Sequence, residues 1–332
     1  MNVNFMGVLK MIRITHDDLV VLQADLMDAY AQLDAHERKL IDADTIVTNL
    51  TSVIASIQSF GLSQELREFY NLDPMLESLS HRDPNTLSAS YAIEGIGTKV
   101  SEALKKFVEY IKEILARIQV FFQRLFNVVD KKGKEVLQCI THLDYNKQVS
   151  IMNKDRLGKL GIAGLAINKY LMSHISISID SAMYITDAKN HLTKFATNFP
   201  GVLNVDGGGL KLENDAIKFE PLTLKEANYD AETIRTIITS YTDRTKTVGP
   251  IRVGLLKAVN SISMLNLAGP AMAAGHFNDL RLTIKTDTFA YSLVGKIQSI
   301  TARNILAFHK CITPVEATVV IDDPNYQLPS AA

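Results

Sequence analysis

Apolar residues recur at three- and four-residue intervals over two long stretches of the chain. In the first stretch they run from Leu19 to Ile57, and Gly61 follows them. Apolar positions at this spacing lie on one face of an α-helix, so the pattern predicts a long amphipathic helix that ends at Gly61. The positions are Leu19, Leu22, Leu26, Tyr30, Leu33, Leu40, Val47, Leu50, Ile54 and Ile57.

The second stretch is more regular and predicts an amphipathic helix from Thr98 to Asn127. Its apolar positions repeat every seven residues and form a stripe wider than the seam of a coiled coil. A stripe of this width is typical of a helix face that is buried in a bundle. The repeat consists of Leu104, Val108, Ile111, Leu115, Ile118, Phe122 and Leu125, with Phe107, Ile114 and Phe121 beside it.

Residues 73–94 lie between the two helical patterns and have the composition of a linker. They contain Asp73-Pro74, Asp83-Pro84 and several Ser and Asn residues. A residue before proline is pushed out of the helical region of backbone space. We therefore expect an extended, accessible linker that meets the second helix at Gly95 and Gly97.

Helical patterns return after residue 145, and one β-like stretch interrupts them. The sequence "VLNVDGGGLKLENDAIKFE", near residues 202–220, alternates apolar and polar residues between turn residues, which predicts a small β-meander. Pro314, Pro324 and Pro329 favour an extended C-terminal tail.

The predicted fold class is mainly α, a multi-helix bundle with long amphipathic helices and this meander as an insertion. The predicted segments are an acidic helical segment 1–94, an amphipathic helical region 95–145, a helical domain 146–312 and a tail 313–332.

Charge is distributed unevenly along the chain, although the net charge is only −1. Residues 1–94 carry six basic and fourteen acidic side chains, a net charge of −8, whereas residues 95–332 carry a net charge of +7. Such asymmetry indicates an acidic arm and a body able to associate with an anionic partner. Chance clustering of charges on solvated faces is the alternative.

The sequence lacks the motifs of catalytic and metal sites. Gly207, Gly208 and Gly209 are not followed by the Lys-Ser/Thr of a phosphate loop, and the eight histidines show no metal-ligand spacing. No Gly-x-Ser-x-Gly occurs, and the two cysteines, Cys139 and Cys311, stand far apart. We predict that the protein is not an enzyme and uses no cofactor and no metal, and that its thiols are free.

The stretch "LSASYAIEG" (87–95), together with the acidic helical leader and the Pro- and Ser-containing linker, carries a resemblance to a known family. These features resemble the proteolytically processed internal head and virion structural proteins of large contractile-tailed bacteriophages. In that family a prohead protease cuts after Glu when a small or aliphatic residue lies two positions earlier. The resemblance implies a virion protein made as a precursor, with a propeptide 1–94 and a cleavage site at Ala92, Ile93, Glu94 and Gly95.

Three other glutamates satisfy a loose form of the same motif. They lie in Ala35-His36-Glu37, Ser63-Gln64-Glu65 and Leu224-Lys225-Glu226-Ala227. A protease needs an extended, mobile segment, and we expect these three stretches to be helical. Glu94 lies beside the predicted linker and is therefore favoured, with a plain hinge between helices as the alternative.

The expected partners are the prohead protease, other capsid or scaffold proteins and, non-specifically, DNA; homo-oligomer formation stays open. Contact with DNA or with a membrane would fall on the basic residues of the second helix. Two other functions stay open, a membrane-active helical effector that uses helix 98–127 and an uncleaved helical scaffold or tail component. The basic residues are Lys99, Lys105, Lys106, Lys112, Arg117 and Arg124.

Overall fold

The computed structural model of the protein describes residues 16–60, 87–175, 193–206, 209–245, 248–263 and 276–313. The predicted stretches 61–86, with Ser63-Gln64-Glu65, and 314–332 lie outside these residues. The described part is mainly helical, which confirms the predicted fold class. Its principal helices are α1 (His16–Phe60), α2 (Leu87–Gln138), α3 (Lys154–Ile175), α4 (Ala231–Thr245), α5 (Val248–Ser263) and α6 (His276–Lys310).

Helix α1 forms where the first apolar pattern predicts it. It ends at Phe60, directly before Gly61. The predicted apolar positions from Leu26 onward face the interior, and Tyr30 is half-buried among them. The buried positions are Leu26, Leu33, Leu40, Val47, Leu50, Ile54 and Ile57.

Helix α2 is longer than predicted at both ends. Residues 87–94, which the sequence predicted as the end of an extended linker, are helical. The apolar stripe explains this difference, because half-buried Ile93 and buried Ile96 and Val100 continue it toward the N-terminus at helical spacing. No proline lies within residues 85–138 to stop the helix. The linker prediction is therefore wrong for residues 87–94.

Helix α6 lies at the centre of the bundle and is in contact with each of the other five principal helices. Every residue from Thr283 to Ala302 is buried. Helix α1 runs antiparallel to it, since Asp44 meets Lys285 whereas Glu37 meets Lys296. This central position is not predictable from the sequence of α6, because a helix with several charged residues does not show the continuous apolar character of a core helix.

Helix α2 runs antiparallel to α1 and parallel to α6. Along α1, His36 lies beside Glu113 and Gln32 beside Arg117, so the residue numbers on the two helices change in opposite directions. Toward α6, the side chain of Ile118 of α2 lies 3.5 Å from the position that a Cβ atom would take at Gly295. α1, α2 and α6 thus share one apolar core.

The β structure consists of two small antiparallel sheets. Strands β2 (Leu203–Asp206) and β3 (Gly209–Leu212) form a hairpin, with Leu203 opposite Leu212. Strand β4 (Glu220–Leu222) pairs with β1 (Val149–Ile151) instead of continuing the hairpin. A 3₁₀ turn at Asn214–Ile217 redirects the chain between β3 and β4. The predicted β insertion is confirmed, but its third strand belongs to a different sheet.

Candidate functional site: a buried ionic seam and the Glu94 segment

Acidic residues of α1 and basic residues of α6 form a line of ion pairs inside the bundle. The carboxylate of Asp44 contacts the guanidinium of Arg281 and lies 2.5 Å from Lys285 Nζ. Lys296 Nζ lies 2.7 Å from Glu37 Oε2 and 2.5 Å from Asp34 Oδ1. We call these residues the ionic seam: Asp34, Glu37, Asp44, Arg281, Lys285 and Lys296.

Most of the ionic seam is removed from water. Five of its six residues are buried, and Asp34 is half-buried. Arg281 also donates to the backbone oxygen of Asp44 at 2.9 Å and to Thr48 Oγ1 at 2.8 Å. Burial lowers the pKa of Arg281, and the charge of Asp44 opposes that shift. Buried charges are tolerated only when they are paired in this way, so each partner depends on the other.

Tyr30 of α1 lies beside the same cluster. The Lys296 ammonium is 5.3 Å from the centre of its ring, a cation–π contact. Burial raises the pKa of Tyr30, and the charges of Asp34 and Glu37 raise it further. The phenol therefore stays neutral at physiological pH and adds no negative charge to the seam.

The basic half of the ionic seam was missed in the sequence analysis. The signal available in the sequence is spacing, since Arg281 and Lys285 are four residues apart and Lys296 follows eleven residues later. These intervals place all three cations on one face of a helix. Glu37 and Asp44, seven apart, likewise share one face of α1. Spacing alone does not show that the two faces meet.

Glu94 lies in the N-terminal part of α2, and its side chain is exposed. The residues around it are partly anchored, because Ile93 is half-buried and Ile96 is only 1% exposed. Nothing lies within 4 Å of the position that a Cβ atom would take at Gly97. The side chain of Ala92 lies outside the described part. A protease that binds extended backbone must therefore unwind the start of α2 before it can cut after Glu94.

The other motif-like glutamates in the described residues are held by burial or by local hydrogen bonds. Glu37 is 5% exposed and belongs to the ionic seam, within α1 as expected. Glu226 lies in a turn and not in the expected helix; its Oε2 accepts a hydrogen bond from the Thr223 amide at 2.7 Å, and its own amide donates to Thr223 Oγ1. Leu224 and Ala227 beside it are fully buried. Glu94 and Glu226 are both exposed, but Glu226 is held in its turn by the two hydrogen bonds with Thr223.

The predicted basic residues of α2 do not form a uniformly positive surface. Lys99, Lys105, Lys106, Lys112 and Arg117 are exposed, whereas the side chain of Arg124 lies outside the described part. Arg117 donates a hydrogen bond to Gln32 of α1. Three acidic residues lie among these cations on the exposed face, so the local charge is mixed. They are Glu102, Glu109 and Glu113.

The apolar stripe of α2 faces the core, as its width predicts. The membrane-active alternative requires this face to be free, and in this fold it packs against α1 and α6. The buried positions are Ile96, Val100, Ala103, Leu104, Phe107, Val108, Ile111, Ile114, Leu115 and Ile118. The side chains of Phe121, Phe122 and Leu125 lie outside the described part.

One described helical stretch, Ala24–Phe60 in α1, is long and apolar enough to cross a membrane by length and composition alone. Half of its most apolar window is buried inside the protein. Core helices of globular proteins meet the same criteria, so this stretch is weak evidence for a membrane span.

A second polar cluster joins the C-terminal ends of α2 and α6. Glu135 Oε2 lies 2.6 Å from His309 Nε2 and 2.7 Å from Lys132 Nζ. Burial lowers the pKa of His309, against the opposing effect of the Glu135 hydrogen bond. Burial raises the pKa of Glu135, but hydrogen bonds with Lys132 and His309 outweigh it, and the net pKa lies below its usual value.

Acidification is therefore expected to destabilise the protein through this cluster. A group whose pKa is lower in the folded state contributes stability above its unfolded pKa and loses it as the pH falls. The stability that His309 contributes begins to fall at about pH 6.5, and the stability that Glu135 contributes falls below about pH 4.5. We expect the melting temperature to fall between pH 7.5 and pH 5.5, and to fall less in His309→Gln.

Exposed His142 provides the control for this prediction, since His142→Gln should leave the pH dependence as it is. Part of the dependence should remain in His309→Gln, because burial also lowers the pKa of His36. Identical melting profiles of the wild type and His309→Gln across this pH range would show that the cluster does not couple stability to pH.

The described residues contain no group of His, Cys, Asp and Glu side chains that could hold a metal ion. Cys139 and Cys311 are both free; Cys139 is half-buried and Cys311 is buried. Burial raises the pKa of Cys311 to about 11, so its thiol is protonated at neutral pH. In the described residues the acidic N-terminal helix α1 is thus ion-paired into the core of the bundle.

A comparison with known protein families gives a match over part of the chain. Residues 17–157 match the family of phiKZ-like phage internal head proteins. The matched region runs through α1 and α2 to the start of α3, so it includes both sides of the Glu94–Gly95 bond. The match confirms the resemblance to internal head proteins of large phages, and it places the chain in the assembled virion in a structural role. No curated protein and no solved structure gives a match.

Proposed function

We propose that this internal head protein is made as a precursor and that a prohead protease cuts it between Glu94 and Gly95. The observation that carries the proposal is the exposure of Glu94 within a matching Ala-Ile-Glu-Gly sequence at the N-terminal end of a helix. Glu37 and Glu226 are held by buried or hydrogen-bonded surroundings. The family match supports the location in the head in which such a protease acts.

The start of α2 is a suitable place for local unwinding. Helix ends open more readily than helix centres, and each internal glycine costs a helix about 1 kcal/mol relative to alanine. Gly95 and Gly97 both lie in this segment. Burial of Ile96 opposes the opening, so cleavage acts on a minor, locally unfolded form. A cut at this bond separates the acidic part of the chain, with α1, from the basic part.

The N-terminal residue of the protein recovered from purified mature particles tests the proposal. We expect the main chain to begin at Gly95, and we expect Glu94→Ala to leave the precursor uncut. Glu102→Ala provides the matched control, since Glu102 is also exposed on α2 and should not affect processing. Mature particles that contain only chains beginning at Met1 would contradict the proposal and leave an uncleaved helical scaffold protein.

DNA and membrane contacts receive less support from the geometry. The exposed cations of α2 alternate with glutamates, so this helix does not offer the continuous positive surface that binds phosphates strongly. The apolar face that a membrane-active helix would need is buried in the bundle. A packing role among the other internal head and capsid proteins fits the described residues best.

A further inference from the structure

We infer that residues 1–94 remain bound to residues 95–332 after the cut, because the groove between α2 and α6 is a binding site for an acidic amphipathic helix and α1 occupies it. This inference rests on the proposed cleavage after Glu94, since an uncut chain has no separate helix to hold. It differs from the usual expectation for a propeptide, which is release.

Apolar burial provides the first reason for retention. Nine apolar side chains of α1 lie in the core, opposite the buried stripe of α2 and the centre of α6. Release of α1 would expose both sides of this contact to water, and apolar burial is the main driving force of association. The α1 side chains are Leu26, Leu33, Leu40, Ala43, Val47, Leu50, Val53, Ile54 and Ile57.

The ionic seam provides the second reason and gives the groove its preference for an acidic helix. Release of α1 would leave Arg281, Lys285 and Lys296 without the carboxylates that they contact. If a helix without these carboxylates were bound instead, it would bury the three cations without counter-charges, which is strongly unfavourable. A neutral or basic amphipathic helix could fill the apolar part of the groove but would leave these cations uncompensated.

Contacts between α1 and α2 fix how the helix lies in the groove. His36 Nδ1 is 2.8 Å from Glu113 Oε2, and the Lys39 ammonium lies 5.9 Å from the centre of the Tyr110 ring. Burial lowers the pKa of His36, so at neutral pH this imidazole contacts Glu113 as a neutral group. These contacts hold one antiparallel register after the covalent link is lost.

Retention changes the charge expected for the processed protein. Hydrolysis of the Glu94–Gly95 amide breaks the C–N bond and adds water, which leaves a carboxylate on Glu94 and an ammonium on Gly95. These new charges cancel, so the two-chain product keeps the net charge of −1. Cleavage therefore gives an internal head protein of two associated chains, and not a free cationic body with a net charge of +7.

Co-expression of the two halves tests the inference. Untagged residues 1–94 and tagged residues 95–332 are produced as separate chains in one cell, and the tagged chain is purified. We expect the two chains to be recovered in equal amounts. Recovery of residues 95–332 alone, or failure of the two chains to give any folded product together, would overturn the inference. The halves are made separately, so this result does not depend on whether the prohead protease cuts after Glu94.

Charge variants of residues 1–94 test the role of the ionic seam. We expect Asp34→Asn, Glu37→Gln and Asp44→Asn together to weaken binding to residues 95–332 at least about 100-fold. The control set makes the same charge change on the exposed face of α1, at Asp25, Asp28 and Asp42, and should change binding by less than about threefold. Equal effects of the two sets would show that the seam does not select the helix.

A compensating variant separates loss of the ion pairs from misfolding. In residues 95–332, Arg281→Gln, Lys285→Gln and Lys296→Gln remove the unpaired cations that the seam variant of α1 leaves behind. We expect this partner to bind the seam variant at least about tenfold more tightly than the unmodified partner does. No recovery of binding would contradict the charge pairing as its cause.

Discussion

Replacement of Asp44 by Asn is expected to lower the free energy of unfolding by about 3–5 kcal/mol. Asp44 is 7% exposed and its carboxylate contacts both Arg281 and Lys285. The substitution leaves two cations without their counter-charge inside the bundle. The Asn side chain has one oxygen in place of two, so it cannot accept hydrogen bonds at both positions that Asp44 uses. Urea unfolding of the full chain at pH 7 measures the change.

Asp42→Asn is the control for Asp44→Asn, since Asp42 lies on the exposed face of the same helix turn. A surface substitution away from such contacts changes stability by less than about 0.5 kcal/mol. The difference between Asp44→Asn and Asp42→Asn therefore measures the effect of burial and ion pairing, because both variants lose one negative charge. Equal losses of stability in the two variants would show that the ionic seam is solvated in solution.

Phe107→Ala is expected to lower the free energy of unfolding by about 3–5 kcal/mol. Phe107 lies in the apolar stripe of α2 and is fully buried between helices. Truncation removes its apolar contacts and leaves a cavity that the packed helices fill only in part. Urea unfolding again measures the effect, and the slope of the transition should stay unchanged.

Val120→Ala is the control for Phe107→Ala, because Val120 lies on the same helix and is 47% exposed. Its truncation should change stability by less than about 0.5 kcal/mol. If α2 instead kept its apolar face free for a membrane, Phe107→Ala would have an equally small effect on unfolding. A small effect of Phe107→Ala would therefore favour the membrane-active alternative over the bundle.

The helices with long, regular apolar patterns, α1 and α2, were predicted correctly because their apolar positions are the ones that form the core. The apolar positions of α1 and α2 recur every three or four residues and face the core along their described length. The predicted start of α2, Thr98, lies eleven residues after its actual start at Leu87, because the two Asp-Pro pairs indicated a linker that extends to Glu94. Ile93, Ile96 and Val100, at helical spacing, carry the signal that extends this helix.

The central helix could not be predicted from its own composition. Its charged residues suggest a solvated face, yet Lys285 and Lys296 are buried because α1 supplies carboxylates to them. Pairing between residues more than two hundred positions apart leaves no local pattern. The same holds for β4, whose partner β1 lies on the far side of α3 in the sequence.

A short motif predicts candidate cleavage sites but does not show which of them are accessible. The sequence identifies Glu94 and three other glutamates by residue type, but burial separates Glu37 from Glu94. The uneven charge of the chain is also visible in the sequence. The acidic residues do not form a separate solvated arm, however, since Glu37 and Asp44 are buried inside the fold.

Hydrogen exchange on the intact chain tests most directly whether α1 is part of the core. If it is, the backbone amides of residues 33–57 should exchange about as slowly as those of residues 284–306, because both segments open only when the bundle opens. Asp44→Asn should speed exchange in both segments together. Rapid exchange throughout residues 33–57, with residues 284–306 still protected, would show that the acidic helix is only loosely attached.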